Sequence, residues 1–152
     1  MLEKFDVRRS ADSDDVLRAI QGQFKIVQTV GDADAVIEDV KSGGLVLINA
    51  AATGDRTLTL PAPGAGLFVS IIWTVASDAQ ATIIEVPSGA LLGSVLAQNG
   101  TGTTIVQSDG TDTKITVNDN IEPGCRLEFV SDGTNWIVSG TVMSADADPA
   151  FS

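Results

Sequence analysis

Between residues 67 and 75 the chain reads LFVSIIWTV, which puts Leu67, Val69, Ile71, Trp73 and Val75 on one side of an extended backbone and Phe68, Ser70, Ile72 and Thr74 on the other. Side chains of a strand alternate with a period of two, so this segment predicts a central strand, apolar on one face and mixed on the opposite one. Similar β-branched runs, bounded by turn signals, recur over residues 56–60, 81–86, 103–108, 113–117, 126–130 and 136–142. Residues 35–40 and 45–50 flank Ser42-Gly43-Gly44 and predict a hairpin. Pro61 and Pro63 end the strand at 56–60, because proline has no N–H to give to a ladder. Residues 91–102 fit either a strand or a loop. Short strands arriving about every 10 to 20 residues predict a mainly β protein, an antiparallel β-barrel or sandwich.

The N-terminal stretch has a different texture. Residues 1–11 mix Phe5 with Lys4, Arg8 and Arg9 without a clear period, which suggests an arm lying along another surface or a frayed terminus. From Ser13 onward, Asp14 and Asp15 precede Val16, Leu17, Ile20 and Phe24, which recur at helical spacing. Early carboxylates suit a helix N-terminus, so one short helix is expected over about 14–24, weakened by Gly22. Three segments result: residues 1–41, an N-terminal arm with the short helix and a first strand; 42–143, the antiparallel β domain; and 144–152, a C-terminal tail.

LEFVSDGTNWIVSG, residues 127–140, predicts two strands joined at an Asp132-Gly133 turn, with Trp136 opening the second. Ser108-Asp109-Gly110-Thr111 and Ser131-Asp132-Gly133-Thr134 repeat one tetrapeptide. Recurrent turn chemistry accounts for the echo as well as duplication does, since Gly supplies the positive φ of tight turns.

Composition narrows the chemistry. The chain has 152 residues, a net charge of −11 and no histidine. Phosphate backbones are bound by clustered Lys and Arg, so nucleic acid is not an expected partner. No apolar run approaches the roughly 20 residues of a membrane helix, and the N-terminus has no apolar core of a secretory signal. Residues 1–41 hold six of the nine basic and nine of the twenty acidic groups, which leaves the rest of the chain the more acidic part.

Without histidine there is no Ser-His-Asp or Cys-His nucleophile and no imidazole metal ligand. Cys125 is the only cysteine and reads as a small buried hydrophobe. Glu85, Glu122 and Glu128 are the interior carboxylates that a glycosidase pair would draw on, although solvated sheet-surface Glu is the commoner role. Asp12-Ser13-Asp14-Asp15, Asp32/Asp34 and Asp146/Asp148 are oxygen-rich without the EF-hand spacing and read as solvated charge. Asn99-Gly100-Thr101 is a formal glycosylation sequon that also reads as an Asn-Gly turn. Trp73 and Trp136 either fill the core or, if exposed, form a sugar-stacking platform. No catalytic residue, metal or cofactor is expected.

LTLPAPGAGLFVSIIW, followed some fifty residues later by CRLEFVSDGTNWIVSGTV, resembles small β-rich structural proteins of tailed bacteriophages, including capsid decoration proteins and head- or tail-fibre domains. The resemblance covers about residues 57–143. It implies a non-enzymatic cement protein on the outer surface of the assembled head, made in the host cytoplasm, with the major capsid protein as partner and a homotrimeric state. Phe5, Arg8 and Arg9 are then the capsid-contact arm; the alternative is a tail-fibre or receptor- or carbohydrate-binding module.

Overall fold

The computed structural model describes residues 26–37, 44–76, 80–145 and 147–152. The arm residues Phe5, Arg8 and Arg9 and the helix expected over 14–24 lie outside the described residues. Among those described, all regular structure is β, arranged as two mixed sheets of seven and five strands in a sandwich-like form.

The first six strands alternate between the sheets. β1 (Ile26–Val30) lies in the larger, β2 (Ala35–Val36) in the smaller, β3 (Gly44–Ile48) in the larger, β4 (Arg56–Thr59) in the smaller, β5 (Phe68–Trp73) in the larger and β6 (Thr82–Glu85) in the smaller. From β3 to β6 each pairs in parallel with the strand two before it, so the chain winds from sheet to sheet like a short solenoid. β7 (Leu91–Asn99) and β8 (Gly102–Gln107) then form a hairpin on the larger sheet, and β9 (Lys114–Val117) crosses to the smaller. β10 (Arg126–Ser131) and β11 (Trp136–Met143) form a second hairpin, inserted between β5 and β7, and β12 (Ala150–Phe151) adds to β9.

Two expectations change. The sheets are mixed rather than antiparallel: β1–β3, β3–β5, β2–β4, β4–β6 and β7–β11 are parallel pairs. The hairpin expected across Ser42-Gly43-Gly44 is not formed, because β2 and β3 belong to opposite sheets. β12 falls within residues 144–152, and β1 and β2 fall within residues 1–41, where a first strand is expected.

The core lies between the sheets. Val69, Ile71 and Trp73 of β5, Leu127 and Phe129 of β10 and Trp136 and Val138 of β11 face Leu58, Ile84, Ile115 and Val117 of the smaller sheet, all buried. Burying apolar surface contributes roughly 25 cal/mol per Å² and is the main stabilising term. Successive turns of the winding are tied by side chains as well as ladders. Asp32 accepts from the amide and hydroxyl of Thr53, Asp34 from the amide of Thr57, and Asp55 from the amide of Ala81.

Arg56, one residue into β4, joins three turns from inside. Its Nη1 donates to the carbonyls of Gly31 and Ala50, and its Nε donates to Thr82 Oγ1. The residue is fully buried and Nη2 has no partner among the described residues. Burial pushes its pKa down, and the charge of Asp32 opposes that shift. The guanidinium therefore trades desolvation against loop carbonyls that would otherwise lose a donor.

Candidate functional site

The two outward faces of the sandwich are chemically unlike. On the smaller sheet the ladders align Val36, Thr59, Glu85 and Lys114 in one row and Thr57, Ile83 and Thr116 in the next. Asp34, Thr57, Thr59 and Glu85 line a shallow groove of about 360 Å³ here, in which Glu85 accepts from Thr59 Oγ1. Polar side chains predominate on this face, with Val36 exposed among them.

On the larger sheet the register sets Phe68, Val130, Ile137 and Leu92 in one unbroken row across β5, β10, β11 and β7. A second row runs Leu47, Ile72, Arg126, Thr141, Leu96 and Ile105. Between them lie Ser70, Glu128, Ser139 and Ser94. Arg126 pairs with Glu128 and donates from Nε to Ser70 Oγ, so the charges at the centre of the face are internally matched. Val130 (45% exposed), Ile137 (42%), Leu96 (42%) and Ile105 (69%) stand out from an otherwise acidic molecule. Exposed apolar rows beside matched polar groups are a signature of a protein-contact surface. Sequence patterning put apolar residues on both sides of β5 but could not show that their outward neighbours on β10, β11 and β7 line up.

The residues singled out by sequence fall in several places. Trp73 and Trp136 are fully buried, and Trp136 donates its indole N–H to the carbonyl of Pro61. Glu85 and Glu128 point outward from opposite sheets, so they do not form a carboxylate pair. Glu122 sits in the loop before β10, its amide donating to the carbonyl of Met143. Asp32 and Asp34 serve as loop acceptors, and Asp148 accepts from the side chain of Asn99. Asn99 Oδ1 accepts from the amides of Thr101 and Gly102, closing the β7–β8 turn. Among the described residues no three His, Cys, Asp or Glu side chains gather into a metal-binding group. Cys125 is buried; desolvation pushes its thiol pKa up, so it stays protonated at neutral pH.

The repeated Ser-Asp-Gly-Thr segments share one hydrogen-bonding scheme. In each, the Ser hydroxyl accepts from the Gly amide and the Asp carboxylate from the Thr amide, with Gly110 and Gly133 at positive φ. One segment leads from the larger sheet to the smaller and the other closes a hairpin, so turn chemistry alone explains the repeat.

Asp132 also accepts from Asn135, and the Asn135 and Thr134 amides hold its carboxyl below the ordinary value of 3.8. A lowered folded-state pKa gives stability that is present above 3.8 and is lost as pH falls through the folded value. The stability gap between wild type and Asp132→Ala, measured by urea unfolding, should therefore be widest near neutrality and close below that value. A gap independent of pH would remove the carboxylate from the turn's energetics.

No protein-family model, curated protein or solved structure matches the chain.

Proposed function

We propose that this chain is a non-catalytic capsid decoration protein of a tailed bacteriophage, bound to the outer surface of the assembled head and stabilising contacts between capsomers. The observation that carries the reading is the apolar outward face of the larger sheet, beside the polar outward face of the smaller one. The resemblance over residues 57–143 supplies the virion context. A rigid body with one adhesive face suits attachment to a protein shell, because the shell is stabilised by anything that binds its assembled form and not its parts. Repetition over a symmetric lattice multiplies weak contacts. In this reading Phe5, Arg8 and Arg9 reach across to a neighbouring capsomer.

The rival reading, a receptor- or carbohydrate-binding fibre module, draws its stacking platform from Trp73 and Trp136. Both are fully buried, so such a module would have to recognise its ligand through other side chains. Gold-labelled antibody against this protein should decorate heads in electron micrographs of virions; label confined to tails would transfer the proposal to the fibre reading. Val130→Lys with Ile137→Lys should lower binding to purified heads by about tenfold or more, since a few central apolar contacts dominate most interfaces. Unchanged binding by a folded double variant would take the face out of the proposal, and unchanged binding after deletion of residues 1–11 would take out the arm.

A further inference from the structure

We infer that the chain associates with a second copy of itself through β8, one of the two edge strands of the larger sheet, with the two β8 strands antiparallel across a twofold axis. A dimer here takes the place of the homotrimeric state that the resemblance implies, and it does not rest on the capsid reading.

Three observations converge on β8. Among the described residues it pairs with β7 alone, and β12 approaches it from the smaller sheet without bridging to it. Gly102, Thr103, Thr104, Ile105 and Gln107 are exposed, so both faces of the strand meet solvent. Natural sheets guard such an edge with Lys, Pro, a bulge or a covering loop, and Gly102-Thr-Thr-Ile-Val-Gln107 has neither charge nor proline.

Charge distribution selects the partner. None of the chain's nine basic and twenty acidic residues falls between Val86 and Ser108, the span that contains the whole β7–β8 hairpin. Two copies that each carry −11 repel over most of their surfaces, and this uncharged hairpin is where they can approach at least cost. A twofold axis at Ile105 would set Ile105 against its own counterpart and Thr103 against Gln107. Asp109, just beyond the strand, would then lie toward the far turn of the other copy rather than against its own counterpart. Antiparallel pairing of a strand with itself is isologous, so one edge suffices. A closed trimer would need a second, different edge. The two seven-stranded sheets would run on as one, carrying both apolar faces on the same side.

Sedimentation velocity of the full chain across a wide concentration range tests this. The expected species has twice the 15.7 kDa of one chain. Ile105→Lys should weaken association on the order of a hundredfold, since two like charges would meet at the axis. Thr103→Pro, which removes an edge donor, should weaken it as well. Hydrogen exchange on the unmodified protein keeps the test independent of whether variants fold: amides of β8 should become more protected as concentration rises. A monomer at every concentration, a threefold mass, or association unaffected by either variant would overturn the inference. Head binding that survives in a monomeric Thr103→Pro would leave the proposed function standing, and loss of head binding with the dimer intact would leave this inference standing.

Discussion

Gly93→Ala is expected to cost about 4 kcal/mol of folding stability, at the upper end of what single substitutions do. Gly93 sits inside β7 at a φ of +114°, and a Cβ there would lie 2.1 Å from the carbonyl oxygen and 3.0 Å from the amide nitrogen of Val138 on the neighbouring β11. Neither atom can swing away, because both are backbone. Positive φ adds its own strain for any residue with a Cβ. Gly110→Ala is the matched comparison: its φ is +96° but nothing lies within 4 Å of the added carbon. It should lose only about 1 kcal/mol, the conformational part alone. Equal losses in urea unfolding would show that the close approach of β7 to β11 is not what Gly93 provides.

Trp136→Ala should cost about 3–5 kcal/mol, the range for deleting a large buried aromatic side chain. A finer result comes from the two Trp→Phe variants. Trp136 donates to the carbonyl of Pro61 at 3.0 Å, whereas the indole N–H of Trp73 has no acceptor among the described residues. Replacement of Trp136 by Phe leaves that carbonyl without its donor and should cost about 1–3 kcal/mol for that loss alone. Trp73→Phe deletes a donor that has no acceptor among the described residues, which leaves a packing change. Thermal unfolding of the pair should rank Trp136→Phe as the more damaging, and the reverse order would remove the Pro61 bond from the explanation.

Period-two alternation located most of the strands, because half-buried β positions write their burial directly into sequence. The β10–β11 hairpin was legible for a second reason, the Asp132-Gly133 turn. Strand partners were not legible. Successive strands β1 to β6 switch sheets, and nothing local in Ala35–Val36 or Gly44–Ile48 states that one faces the other across a core instead of lying beside it. β7 stayed ambiguous because Gly93, demanded by the approach of β11, looks like a loop residue until that neighbour is known. Arg56 was hidden in an alternating run whose buried positions are usually apolar; its carbonyl partners are Gly31, from another turn of the winding, and Ala50, from the loop that leads into β4. The outward apolar rows escaped for the same reason: four strands distant in sequence must be set in register before Val130, Ile137 and Leu92 become neighbours.

The place of the β10–β11 hairpin governs the timetable of synthesis. β1, β3 and β5 form one block of the larger sheet and β7–β8 another, and the hairpin that joins them emerges from the ribosome only after both. Until residue 143 is made, β5 and β7 each present a bare edge, and a nascent chain holds two half-sheets with no shared ladder. A ribosome stalled before β10 would thus carry two half-sheets with bare edges, and completion of the β10–β11 hairpin decides whether they join each other or a neighbouring chain.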